Sequence, residues 1–231
     1  MSKIELSRRG ILKTSLFGAA GAAALGITGA AQAKPKKPEG KFDAEYDAVV
    51  LGAGPSGLIT ALTAHDLGAK VVVCEKMDRP DGNAIYALGS VCGWGTRHQK
   101  EQGLEDTADA FYAMMMDISK QMGDKALNRC YTGIDWLESD IGVKFGKIRP
   151  MPYPRLGRTC RVVGDKGLTG GAALVQKLLE ACAKRKIEIK YEHKAIELIH
   201  NDRFEVTGVK LLTPEGTKTF RARGGVAVAP A

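Results

Sequence analysis

The sequence predicts an α/β fold built on a parallel sheet, and three observations carry that prediction. An apolar run, Tyr46-Asp47-Ala48-Val49-Val50-Leu51, enters the turn Gly52-Ala53-Gly54-Pro55-Ser56-Gly57. An amphipathic stretch follows, and a second apolar run, Val71-Val72-Val73-Cys74, ends on Glu75 and Lys76. Strand, glycine turn, helix, strand and acid in that order form a dinucleotide-binding βαβ unit. Gly52 allows the tight turn, Gly54 lets a diphosphate approach the backbone, and Gly57 lets the helix pack close to the sheet. Ala53, Pro55 and Ser56 complete the candidate contacts of the turn, and Glu75 is placed to accept from a ribose hydroxyl. The helix N-terminus offers its unpaired N–H groups to the anion.

The elements follow in chain order. Ser7-Arg8-Arg9-Gly10-Ile11-Leu12-Lys13 precedes an uncharged Ala- and Gly-rich stretch from Thr14 to Ala33. It resembles a twin-arginine export signal, with Ile11 where such signals usually carry Phe. Ala31-Gln32-Ala33 reads as a small-residue cleavage site, which predicts a periplasmic protein whose mature chain begins near Lys34. A cleaved signal fits better than a retained membrane anchor, because Ala and Gly make the stretch weakly apolar. Contact with the membrane is then expected only through this signal. Residues 34–45 read as a polar, Pro-rich linker. The formal net charge of +8 is concentrated in the signal. Its removal leaves roughly +5, ordinary for a soluble domain. No basic run interleaved with aromatics points to nucleic acid. The five cysteines are scattered without metal-ligand spacing, so no metal site is expected and most read as small core residues.

Strands are expected at 46–51 and 70–75 around a helix at 55–67. Residues 76–103 are rich in glycine and read as a long functional loop. Helices fit 105–122 and 124–141, the second with Ile134, Leu137 and Ile141 at helical spacing. Arg149, Arg155, Arg158 and Arg161 read as a solvated loop face. A helix spans 172–186, and a strand follows at 187–191. Segments 195–199, 206–212 and 217–222 form a β-meander, and a last strand covers 225–229. Among the histidines, His98 in the glycine-rich loop is the one to test for catalysis. His65 reads as structural or exposed, and His193 and His200 flank the meander.

This layout resembles the flavoprotein family of fumarate reductase and succinate dehydrogenase, including its soluble periplasmic fumarate and urocanate reductases. Ala61 and Gly68 fill the positions that extend the glycine fingerprint into its FAD form. Glu75-Lys76 with Gly82-Asn83-Ala84 resembles the family's Glu-Lys…Gly-Gly-Asn-[Ser/Thr], whose backbone and Asn meet the pyrophosphate; Asp81 replaces the first glycine. Ala87-Leu88-Gly89-Ser90 stands where the family places a small-x-Gly-Gly turn beneath the isoalloxazine, and Ser90 departs from Gly. Arg158-Thr159-Cys160 and the helix and strand from Gly170 to Lys190 also resemble family segments. Ala195 maps to the residue against the adenine. The family's histidine attachment point falls on Asn83, which implies noncovalent FAD. Strand Val226–Ala229 is the one that runs toward the flavin.

The resemblance implies a Rossmann-like FAD-binding domain of the glutathione-reductase type, with inserted helices and a β-meander. It covers 46–231, and the capping domain is expected to be absent, the domain being shortened at its C-terminus. The implied activity is reduction of the C=C bond of a small unsaturated carboxylate by hydride transfer from flavin. Electrons come from a separate cytochrome or quinol-linked donor. The family's substrate-binding groups map to no residue here, so the catalytic residues are left unassigned. Two other readings stay open: a flavin-binding module without a complete active site, and an aspartate-oxidase-like or ketosteroid-dehydrogenase-like enzyme.

Overall fold

The computed structural model describes residues 41–80, 82–119, 133–150, 157–165 and 168–229. The segment read as an export signal, most of the stretch read as a linker, Asp81, Cys130 and Arg155 lie outside the described residues. Strand β1 (Ala44–Leu51) starts two residues inside the stretch read as linker. Helix α1 (Pro55–Asp66) follows the glycine turn with Pro at its first position, where a missing N–H costs nothing. Strand β2 is Val71–Cys74.

The long loop has structure of its own. It contains a 3₁₀ turn (Asn83–Tyr86), strand β3 (Ser90–Cys92) and the short helix α2 (Arg97–Glu101). Thr96 and Gln99 close α2 with a reciprocal capping box, which no hydrophobic period announces. Helices α3 (Ala108–Ser119) and α4 (Gly133–Ser139) lie within the predicted pair, and the residues between them are outside those described. Ile134 and Leu137 are buried, as their spacing predicts. Strands β4 (Lys144–Phe145), β5 (Arg149–Pro150) and β6 (Gly157–Val163) follow. Helix α5 is Gly170–Lys184 and β7 is Glu188–Lys190. The meander is β8 (Lys194–His200), β9 (Val206–Thr213) and β10 (Gly216–Val228).

One expectation changes here. The segments 217–222 and 225–229 form a single strand, β10, rather than two. Its first half pairs antiparallel with β9, from Gly216 to Arg221. From Phe220 to Val228 it runs parallel to β1. Gly224 and Gly225 do not break the strand, because β10 takes up its extra residue as a bulge: Tyr46 pairs with Ala222 and Ala48 with Gly225, so Arg223 and Gly224 lie opposite the single residue Asp47.

The main sheet has the order β7-β2-β1-β10-β9-β8, and β3, β6 and β4 form a second sheet with β5 on β6. Strands β7, β2, β1 and the second half of β10 are parallel, so their carboxyl ends lie together. Alternation decides which face each residue serves. Val50 and Val73 join Leu58, Leu62, Val175 and Leu178 in the helix-side core. Val49 and Val72 join Val209, Leu211 and Phe220 in a second cluster. Both faces are covered, which is why β2 reads as an unbroken apolar run. Fully burying each of these Val and Leu side chains is worth about 1.5–3 kcal/mol.

Candidate FAD site

The site begins at the turn after β1. A Cβ on Gly57 would lie 2.0 Å from the Gly52 carbonyl oxygen, so any larger residue pushes α1 off the turn. Gly54, the N-cap of α1, is the opposite case: a Cβ there would meet no atom within 4 Å. No side chain caps α1, and its first turn carries no acid. The first turn can therefore receive an anion without a competing carboxylate of its own.

Glu75 holds this turn in shape. Its Oε2 accepts from the Ala53 N–H at 2.8 Å and its Oε1 accepts from the Met77 N–H at 2.9 Å. Gly52 N–H donates to the Cys74 carbonyl at 2.8 Å, a second tie between the ends of β1 and β2. A carboxylate has about four acceptor positions, so Glu75 keeps capacity for a ribose hydroxyl beyond these two bonds. The amide of the buried Ala53 is already spent.

A cleft of about 540 Å³ opens over these groups. It gathers Gly52, Gly54, Glu75, Lys76, Gly82, Asn83 and Ala195 from the sequence-predicted set. The sheet order arranges its walls. Residues 193–195 follow β7, Glu75 and Lys76 follow β2, the glycine turn follows β1, and Val228 ends β10. The cleft thus lies across the carboxyl ends of the parallel strands, where open α/β sheets bind ligands.

The remaining predicted residues surround it. Pro55, Ser56 and Gly57 form the start of α1. Ala84 and Gly89 serve the packing of α5 onto the 3₁₀ turn. A Cβ on Gly171 would fall 1.8 Å from the Ala84 carbonyl oxygen, and one on Gly89 would fall 2.3 Å from the Gly170 backbone. Ser90 is exposed and pairs with Arg161 across β3 and β6. Ala229 donates its N–H to the Leu51 carbonyl at 2.9 Å, extending the β1–β10 ladder by one bond.

The cleft also holds residues that sequence reasoning passed over: Tyr86, Met77, His193 and Lys194. The imidazole of His193 is tied down, with Nδ1 donating to the Tyr191 carbonyl at 2.6 Å and the ring tilted against Phe220. Its backbone N–H donates to the Glu75 carbonyl at 2.8 Å. The adjacency of His193 and Lys194 to Ala195 was the available signal. Cys74, fully buried beneath the cleft, has its thiol pushed up to about 12 by burial.

Two candidates lie elsewhere. His98 does not line the cleft; its Nε2 bonds Glu138 at 2.8 Å, and Arg97 bonds the same carboxylate. Arg158 is not on a solvated face. Its guanidinium forms a bidentate pair with Asp106 at 2.5 Å, and their side chains are 3% and 0% exposed. Gln99 donates to Asp106 and to the Gly157 carbonyl, and Arg158 also lies over Phe111. The counter-ion comes from a distant loop, so the basic cluster alone did not reveal it. Burial raises the Asp106 pKa, but the bonds from Arg158 and Gln99 outweigh it and hold the carboxyl below its usual range.

A glycine turn, an uncapped helix start and an acid at the end of the second strand, set at the carboxyl ends of parallel strands, define a dinucleotide-binding α/β protein. The FAD binding domain family matches residues 47–231, and the chain belongs to that family, whose cofactor is FAD. It is 31% identical over 185 residues to the NADH:fumarate oxidoreductase of Klebsiella pneumoniae, covering 77% of this chain and 20% of that protein. It is 29% identical over 168 residues to a cytochrome-type fumarate reductase of Shewanella frigidimarina, covering 71% of this chain and 29% of the relative. The chain thus spans less than a third of the length of these relatives. The open conformation of a flavocytochrome c3 fumarate reductase shares the fold, with a TM-score of 0.71 and 24% identity over 81% of this chain and 34% of that one. Among the described residues, no helix is long and apolar enough to cross a membrane.

Proposed function

We propose that the chain is the FAD-holding part of a reductase that saturates the C=C bond of a small unsaturated carboxylate. The observation that carries this is the open, uncapped glycine turn at the head of α1, set in a chain of the FAD-binding family beside fumarate reductases. The residues present fit the group. The N–H groups at the start of α1 take the diphosphate, helped by the field of the helix. Glu75 accepts from the adenosine ribose while fixing the turn through Ala53 and Met77. Gly82 and Asn83 close over the phosphates, Lys76 adds charge of the right sign, and Ala195 borders the adenine.

Asn83 carries an amide with no nucleophilic nitrogen or thiolate, which supports noncovalent attachment. When bound, the flavin supplies hydride to an alkene made electron-poor by its carboxylate. A clamp on the developing negative charge is required for that chemistry, and none of the cleft residues supplies it. In this reading the whole protein works in the periplasm, reached by the twin-arginine route, with electrons from a cytochrome or quinol-linked donor. Residues 1–33 are its signal and 46–231 its FAD domain.

The experiment is a titration of the chain with FAD, FMN and ADP, followed by acid precipitation. FAD should bind more tightly than FMN, ADP should compete with it, and acid should release all of the flavin. Equal affinity for FMN, or flavin that stays with the precipitate, would contradict the reading. For the whole protein, reduced viologen should be oxidised on adding fumarate, acrylate or urocanate. Failure with all three would remove the unsaturated carboxylate.

A further inference from the structure

We propose that Tyr86 is the residue on which the flavin ring of the bound dinucleotide rests, an inference that depends on the cleft being the FAD site. Tyr86 ends the 3₁₀ turn, lines the cleft and is 80% exposed. Among the described residues, none hydrogen-bonds its hydroxyl or stacks on its ring. An aromatic side chain carries about 150–250 Å² of burial potential. Here almost all of it is left open beside an anion-binding turn.

The backbone that presents the ring is held firmly. Ala87 N–H donates to the Ala84 carbonyl at 3.1 Å, and Gly171 N–H donates to the Ala87 carbonyl at 2.9 Å. The absence of side chains at Gly170 and Gly171 lets α5 seat directly against this turn. The ring is therefore offered from a fixed support rather than from a free loop tip. Such preorganisation lowers the entropy a ligand contact must overcome.

The character of the walls selects the end of the ligand. Glu75, Lys76 and Lys194 charge the side formed by β2 and β7, and a ribose bonded to Glu75 sends its adenine toward β7. The imidazole of His193 on that side is already engaged with Phe220 and the Tyr191 carbonyl. The exposed large apolar lining is at Tyr86, at Val228, which is 62% exposed at the end of β10, and at Met77, which is 42% exposed and stands among the charged groups after β2; only Tyr86 offers a ring. A ligand with a sugar–phosphate middle, an adenosine at the β2–β7 side and a second, larger planar ring meets Tyr86 with that second ring. In FAD this is the isoalloxazine.

The test compares the wild-type chain with Tyr86→Phe and Tyr86→Ala, reading FAD affinity, ADP affinity and emission per bound flavin. Ring stacking of this kind is worth about 1–3 kcal/mol on alanine substitution, so Tyr86→Ala should weaken FAD roughly 5- to 150-fold. Its ADP affinity should stay within about twofold of wild type, because the adenosine half does not touch the ring. Tyr86→Phe should keep most of the FAD affinity yet raise the emission, since a stacked phenol quenches an excited flavin and a phenyl ring does not. Because Tyr86 is exposed, both variants should melt with the wild type. FAD affinity and emission unchanged in Tyr86→Ala would overturn the inference, and so would an equal loss of ADP, which would place the ring on adenine. A folded wild-type chain that takes up neither FAD nor ADP would overturn the site and this inference together. ADP binding without FAD would leave the adenosine half standing and overturn the flavin contact.

Discussion

The cleft and the node around Arg158 both gather polar groups, and they dispose of them in opposite ways. At the node, the strong donors find acceptors inside the protein: Arg158 donates to Asp106, and Gln99 donates both to Asp106 and to the Gly157 carbonyl. At the cleft, the first turn of α1 is left uncapped, Gly54 faces open space, and Lys76 and Lys194 make no ion pair with any described residue. The node fixes the second sheet against α3. The cleft keeps capacity for something the chain does not contain. A pair of charges buried and satisfied is architecture, whereas donors converging on a void are a binding site.

The widest separation between the two regions should come from Asp106→Ala. Leaving Arg158 buried without its partner costs about 3–5 kcal/mol. Urea unfolding of the chain should show that loss, and a loss below about 1 kcal/mol would mean that the pair is not a structural node. Gly57→Ala comes next, at about 1–3 kcal/mol from overpacking, because its Cβ would strike the Gly52 carbonyl. The same denaturation series measures it, and wild-type stability would show that α1 moves away freely.

Acid sharpens the contrast further. The folded Asp106 carboxyl titrates below its usual range, so its contribution is complete above the unfolded value of about 3.9 and is lost as pH falls through the lower folded value. Stability measured from pH 7 downward should therefore hold to about pH 4 and then decline. Asp106→Asn should decline less steeply than wild type, and parallel curves would contradict the assignment. The smallest effect is chemical. Burial pushes Cys160 and Cys182 up to about 11 and Cys74 up to about 12, while Cys92 is exposed. Site-resolved alkylation of the folded chain should label Cys92 well before those three, and early labelling of Cys74 would show that the cleft floor opens.

Much of the cleft was legible because its signals are local. The apolar run, the glycine turn, the second run and Glu75 lie in one stretch of chain, and each step follows from the period of strand or helix. The role of Glu75 as a brace for Ala53 and Met77 was not legible, since backbone acceptors leave no trace in the pattern of side chains. The node was hidden for a related reason. Asp106 and Arg158 are 52 residues apart in sequence, and nothing in the basic cluster of 149–161 marks one arginine as paired. The fusion of the last two predicted strands into β10 escaped as well. A Gly224-Gly225 pair reads as a break, whereas in the sheet it lies at a bulge of β10 opposite Asp47, past which the strand continues.

The central claim is that the open glycine at the head of α1 is where the cofactor's diphosphate sits. Gly54→Val tests it directly, because a Cβ there would meet no protein atom within 4 Å, so the added bulk starts out in the open cleft. Thermal unfolding should place the variant within about 1 kcal/mol of the wild type, the range of an altered N-cap. Its affinity for both FAD and ADP should fall at least tenfold, corresponding to about 1.4 kcal/mol of lost binding. A folded Gly54→Val chain that binds FAD as tightly as the wild type would contradict the account.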